Sequence, residues 1–230
     1  MIAVELRELS HRLGSFRLEI DTLAVEPGGG VAVCGAAGAG KSLLLRLLAG
    51  LERPAAGRVR VLGMDPVAEA VALRQRITWM SDSMALFPVT LGRHGLIHAR
   101  FHPRWDQAWF LALCTRLDLD PQATLGQMTR SEGARARLAL ALGHHPEVIL
   151  LDEPLGALDV QARLGMLGLL ADLRADGCTL VLAAQHLGDV QRVVDRAVVL
   201  SGGARVAEGP TAEVMAGHAN VGEVVSEGGP

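Results

Sequence analysis

Apolar residues recur with two different periods along the chain, and the change of period marks out the elements. Near the N-terminus they alternate with polar residues over 4–9 and again over 16–20, the period of half-buried strands. Residues 30–34, Gly-Val-Ala-Val-Cys, form an unbroken apolar run instead, as a strand covered on both faces requires. A leucine-rich helix is predicted over 42–49, stopped by Gly50. Residues 58–62 and 77–80 read as further strands. From 90 to 142 the spacing turns helical, most clearly at 108–113 and 137–142, and predicts a helical insertion. Short continuous apolar runs return at 148–151 and 179–183, with a helix over about 160–174 between them. Strands alternating with helices predict an α/β fold around a parallel sheet. Residues 197–200 and 204–206, joined by Ser201-Gly202-Gly203, predict a late hairpin, and the tail over 218–230 is expected to be loose. The whole chain, 1–230, reads as one domain.

Between the run at 30–34 and the helix at 42–49 lies Gly35-Ala36-Ala37-Gly38-Ala39-Gly40-Lys41-Ser42, the G-x-x-x-x-G-K-S pattern of a phosphate-binding loop. Its glycines let the backbone curl so that successive N–H groups form an anion nest. Lys41 is placed to reach the β- and γ-phosphates of a nucleotide, and the Ser42 hydroxyl to sit on Mg²⁺. The following helix sets its positive dipole end at the phosphates. The run at 148–151 ends in Asp152-Glu153-Pro154. Two carboxylates at the C-terminal edge of a buried parallel strand stand where open α/β sheets bind ligands. Asp152 is expected to hold Mg²⁺, and Glu153 to act as general base on the attacking water.

Composition narrows the surroundings of this chemistry. Hydrophobic residues make up 50% of the chain, enough for one sizeable core. Twenty-two basic against 25 acidic residues, with a pI near 6.2, give no reason to expect nucleic acid as partner. Cys34, Cys114 and Cys178 are far apart, which suits a reducing compartment, and Cys34 is expected to be an inert core thiol. The first residues lack the pattern of a signal peptide, and no apolar run approaches the roughly 18–20 residues that span a bilayer. A soluble protein is expected. His94, His98 and His102 stand at helical spacing. A metal site is conceivable there, but the expected role is a polar face. His144-His145, before Pro146, read as an exposed loop.

The two motifs, followed directly by Leu155-Gly156-Ala157-Leu158-Asp159, resemble the nucleotide-binding subunit of an ABC transporter over essentially the whole chain. Residues 101–106 and 138–142 resemble bacterial exporter ATPases. The resemblance implies a P-loop NTPase fold: a RecA-like parallel core, an N-terminal antiparallel β subdomain and a helical signature subdomain over about 90–142. It also implies ATP and Mg²⁺ as ligands, and ATP hydrolysis that powers export through a transmembrane permease on a separate chain. The subunit would act as a homodimer or heterodimer at the cytoplasmic face of the plasma membrane, where a histidine face near the permease would lie. Two ATP molecules would be sandwiched head to tail, with Asp159 in the loop after the base.

Several positions depart from that family. The signature falls on Arg130-Ser131-Glu132-Gly133-Ala134, where only Ser131 and Gly133 match the family pattern L-S-G-G-Q. Ser131 suits a helix N-cap, whereas Glu132 would bring a carboxylate towards the triphosphate, offset by Arg130. The family's glutamine before the helical region falls on Asp82, which can still reach Mg²⁺ or water. The switch histidine falls on Gln185, with His186 one place later; a local bulge would bring His186 into use instead. The adenine-stacking aromatic falls near Leu13, with His11 and Phe16 close by and no tyrosine in the chain, so base recognition is expected to be weaker. Lys41, Ser42, Asp152 and Glu153 leave hydrolysis feasible. A regulatory subunit that barely hydrolyses ATP and a soluble ABC ATPase remain the alternatives.

Overall fold

The computed structural model describes residues 2–81 and 87–217. In chain order the elements are β1 (Val4–Leu13), β2 (Phe16–Val25), β3 (Gly30–Cys34), α1 (Lys41–Leu48), β4 (Ala56–Val61), α2 (Ala70–Arg74), β5 (Ile77–Ser81), α3 (Leu91–Ala99), α4 (Gln107–Arg116), α5 (Arg130–Leu142), β6 (Val148–Asp152), α6 (Val160–Ala175), β7 (Thr179–Ala184), α7 (Leu187–Val190), β8 (Arg196–Ser201), β9 (Ala204–Pro210) and α8 (Thr211–Gly217).

Strands β5, β6, β7, β3 and β8 are parallel neighbours, and each is buried on both faces over most of its length. This is why their sequences read as unbroken apolar runs. Successive residues nevertheless serve two different cores. Val148 and Leu150 of β6 pack with α1 and the N-terminal strands, while Ile149 and Leu151 pack with α5 and α6. Strands β3 and β7 alternate in the same way. The C-terminal ends of β3, β6 and β7 therefore finish on one edge, locked in register by the packing on both sides.

The antiparallel β1–β2–β4 layer is not a separate sheet. All nine strands form one sheet in the order β4-β1-β2-β9-β8-β3-β7-β6-β5. The join is β9, antiparallel to β8 and touching β2 in parallel at Glu19↔Ala204. The Glu19 N–H donates to the Gly203 carbonyl at 2.8 Å. Gly203 has φ of 85°, and a Cβ there would overlap the Arg17 carbonyl oxygen, so only glycine fits this crossing. No helix among the described residues is long and apolar enough to cross a membrane.

The histidines at 94, 98 and 102 do not form the expected polar face. A Cβ on Gly95 would lie 2.7 Å from Phe110 Cε1, so this glycine lets α3 settle directly against α4. On the histidine side of α3, His94 is buried, while His98 and His102 are half-buried along a groove of about 290 Å³. His94 is 4% exposed, and its Nε2 accepts from the Phe87 N–H at 3.0 Å. A column of rings runs from Phe87 through His94, His98 and His102 to His144, with centroids 5.6, 6.2, 6.1 and 4.2 Å apart. His144, expected in an exposed loop, is only 2% exposed, and its Nε2 lies 3.2 Å from the Ile77 carbonyl oxygen of β5. The neutral ring must donate there, because a carbonyl only accepts. Among the described residues no three His, Cys, Asp or Glu side chains could hold a metal ion.

Burial pushes the His98 and His144 imidazoles down to about 4, and lowers His94 and His102 as well. In the unfolded chain the same rings titrate near 6.5. Their contribution to stability is therefore complete above about pH 6.5 and is lost as the pH falls towards 4. Denaturant unfolding should show a stability drop on the order of 2–4 kcal/mol between pH 7 and pH 5. Replacing His98 and His144 by leucine should flatten that window, whatever it does to the stability at pH 7.

Candidate nucleotide-binding site

The phosphate-binding loop leaves the end of β3 and returns as α1. Gly35, Gly38 and Gly40 take φ values of 147°, 80° and 104°. Gly40 is the N-cap of α1 and brings no side chain to cap it, and no acid occupies the first turn. The first N–H groups of the helix thus lack side-chain partners, and the positive dipole end is not neutralised. Ala36, Ala37 and Ala39 complete the curl with side chains too small to fill it. Lys41 is 4% exposed. Its ammonium donates to the carbonyls of Gly35 at 2.8 Å and Ala36 at 3.0 Å, and lies 3.3 Å from Glu153 Oε1.

The strand ends beside the loop bring the remaining groups. Asp152 is the last residue of β6, and its Oδ1 accepts from the Ser42 hydroxyl at 3.0 Å. Burial raises the Asp152 pKa, and the Ser42 bond opposes that rise. A half-buried carboxylate next to a hydroxyl is an all-oxygen donor set of the kind Mg²⁺ takes. Glu153 has φ of 49°, the left-handed region that side chains avoid at a cost of roughly 1–2 kcal/mol. Its N–H donates to the Ala183 carbonyl of β7 at 3.0 Å. With its backbone turned in this way, its carboxylate reaches both Lys41 and the Gln185 amide, which donates to Oε2 at 3.1 Å.

Of the two candidate residues at the end of β7, Gln185 is the one in contact with Glu153. Strands β3 and β7 stay in unbroken register from Gly30↔Leu180 to Cys34↔Ala184. The ladder has no bulge up to Ala184, and the next residue, Gln185, makes the contact with Glu153. His186 is the exposed N-cap of α7 and lines, with Gln185, Glu153 and Asp189, a cavity of about 200 Å³. Cys34, at the end of β3, is buried and its thiol is pushed up to about 11, in keeping with an inert role.

The signature region corrects two expectations. The N-cap of α5 is Thr129, not Ser131. Thr129 Oγ1 accepts from the Glu132 N–H, and the Glu132 carboxylate accepts from both the Thr129 N–H and its hydroxyl at 2.7 Å. Glu132 is folded back into a capping box, and these bonds hold its carboxyl below the usual range. Its charge serves the cap of its own helix. Ser131 donates instead to Asp159 Oδ2 at 3.0 Å, while Asp159 Oδ1 caps α6 through the Ala162 N–H at 2.9 Å. Gly133 is buried in the first turns of α5. Leu13 closes β1 opposite Phe16 and is 51% exposed. Asp82 lies outside the described residues.

Residues 18–156 match the family model described as ABC transporter. The chain belongs to the ABC transporter ATP-binding family. A probable anion import ATP-binding protein of Haloferax volcanii is 32% identical to it, covering 91% of this chain and 81% of its own length. Daunorubicin resistance ATP-binding protein DrrA3 of Streptomyces coeruleorubidus is 37% identical over 80% of this chain and 60% of its own length. A solved structure of the ATP binding subunit of an ABC transporter superposes with a TM-score of 0.87 over 98% of both chains at 22% identity, which speaks for the fold. Further relatives are named for the import of sulfate, sulfonates, nickel, phosphonates and thiamine, so these names give the expectation of export no support.

As a member of this family the chain is an ATPase, and the geometry shows which of the expected residues lie together. Lys41, Ser42, Asp152, Glu153 and Gln185 are brought together. Ser131 and Asp159 are joined to each other, while Leu13 pairs with Phe16 across the hairpin and is not among the residues brought together. Sequence reasoning missed Thr129, although Thr-x-x-Glu over 129–132 is the signature of a capping box. Because Gln185 carries no proton that titrates near neutrality, the hydrolysis rate should show no inflection from this residue between pH 6 and 8. Gln185→His should introduce one, near the ordinary imidazole value of about 6.5. His186→Ala should leave the rate within about threefold of the parent. Steady-state pH profiles of the three proteins test the assignment.

Proposed function

We propose that this chain is the Mg²⁺-dependent ATP-hydrolysing engine of an ABC transporter. It would work as a dimer at the cytoplasmic face of the membrane with a permease on a separate chain. The observation that carries this reading is the placement of Glu153, which the Lys41 ammonium holds on one oxygen and the Gln185 amide on the other. A carboxylate aimed in this way accepts the proton of the attacking water while the phosphate end of the nucleotide rests on the loop N–H groups and Lys41. Ser42 and Asp152 are the residues that would hold the cation, which supplies charge neutralisation on the phosphate oxygens. Gln185 keeps the base carboxylate oriented without exchanging a proton.

Family dimers place the signature of one subunit over the phosphates of the other, and Ser131 and Gly133 are the residues that would serve there. Export is the direction supported by the likeness at 101–106 and 138–142, against the import named in most relatives. The capping box removes one argument for a non-hydrolysing regulatory subunit, because Glu132 is already committed within its own helix.

Glu153→Gln should lower hydrolysis by a factor on the order of 10²–10³ while leaving nucleotide binding intact. The same variant should elute as a dimer in Mg²⁺–ATP and as a monomer without it. Phosphate release and size-exclusion chromatography on parent and variant check both points. Binding without hydrolysis in the parent protein would transfer the conclusion to the regulatory subunit.

A further inference from the structure

The outer face of α3 takes no part in the site described above and is left uncovered by the described residues. Arg93, Leu96, Ile97 and Arg100, the C-cap, stand at i, i+3, i+4 and i+7, so they share one side of the helix. Leu91, His94 and Gly95, on the other side, are buried. Arg93 and Arg100 are exposed, Leu96 is 60% exposed and Ile97 is half-buried. An exposed phenylalanine stands beyond each end of the helix, Phe87 at 64% and Phe101 at 68%. Large apolar side chains left so uncovered on neighbouring positions mark a contact surface.

Charge narrows what that surface meets. Residues 87–105 contain no aspartate or glutamate. Arg104, just past the helix, is bound to Glu147 at 3.0 Å. The Arg93 and Arg100 guanidinium groups have no hydrogen-bond or ion-pair partner among the described residues. By the helical rise they lie roughly 10 Å apart along the axis, with Leu96 and Ile97 between them. The face therefore reads basic, apolar, apolar, basic. It is separate from the groove of about 290 Å³ along the histidine side. A folded protein docking here would need acidic groups matched to two fixed points. An anionic lipid surface offers negative charge at every position. It also lets the apolar side chains sink below the headgroups while the guanidinium groups stay level with them.

We propose that the outer face of α3, with Phe87 and Phe101 at its ends, rests on a bilayer surface rich in anionic phospholipid. This adds a direct lipid contact to the permease contact of the reading above. The two arginines act through the negative surface potential, each worth about fivefold in binding. Leu96 and the phenylalanines act through apolar burial. Salt screens the first contribution and leaves the second.

The test is flotation of the whole chain, above neutral pH so that the histidines stay uncharged. The vesicles are phosphatidylcholine alone, and phosphatidylcholine with phosphatidylglycerol in equal parts. At low salt the partition coefficient should be about tenfold or more higher on the anionic vesicles. It should fall when the salt is raised to about 0.5 M. Arg93→Gln with Arg100→Gln should lower it by about 25-fold. Leu96→Ser with Phe101→Ser should lower it while keeping the salt dependence. All four positions are exposed and outside the nucleotide site, so ATP hydrolysis in solution should match the parent, and it reports on that site separately. Equal binding to both vesicle types, no binding to either, or paired variants that bind as the parent does each overturn the inference. Retention on immobilised polyglutamate with none on anionic vesicles assigns the face to an acidic protein segment and overturns it as well.

Discussion

The Lys41 ammonium is almost completely removed from water, and a buried cation must be matched by acceptors on every side. Its partners are two carbonyls of its own loop and the carboxylate of Glu153. That requirement orders the site. The loop must curl far enough to aim the Gly35 and Ala36 carbonyls inward, which the glycines permit. Glu153 must adopt a left-handed backbone to present its carboxylate, and its N–H bond to Ala183 together with its side-chain partners holds it there. The same ammonium is the cation that a phosphate group entering the loop would meet.

The precision of that arrangement comes from the strands beneath it. Each parallel strand contributes alternate residues to two cores, so a one-residue slip would move every side chain to the wrong core. The register that carries β7 evenly to Ala184 is the same register that sets Gln185, the next residue, beside Glu153. The single sheet extends this control to the far rim. Through the β9 crossing at Gly203, the hairpin bearing Leu13 and Phe16 is fixed relative to the loop it overhangs.

The sequence made the local features legible and left the non-local ones hidden. The phosphate loop and Asp152-Glu153 are contiguous patterns whose flanking apolar runs announce the strands, and both stand where those patterns imply. The capping box was equally local, but the serine next to it drew the assignment of the cap to Ser131. The histidine column had no local signal. Helical spacing of His94, His98 and His102 says only that they share a face; which way it turns depends on Gly95 meeting Phe110 from another helix. His144 joins the column from beyond α5, through its bond to the carbonyl of Ile77 in β5. The parallel contact of β9 with β2 is likewise a pairing across most of the chain, which periodicity within either strand does not report.

The Ser131–Asp159 bond gives these parts a mechanical connection. Ser131 lies in the first turn of α5, in the helical subdomain, and Asp159 caps α6 in the core. Between Glu153 and Asp159 lie only five residues, and Leu155 and Leu158 among them are buried. A shift of α5 relative to the core must either break the hydroxyl–carboxylate bond or pull on a short segment that begins at Glu153. Because Asp159 also holds the Ala162 N–H, the bond to Ser131 is the one that can part without uncapping a helix. The start of α5 and the segment that carries Glu153 are therefore linked through this one hydroxyl–carboxylate contact.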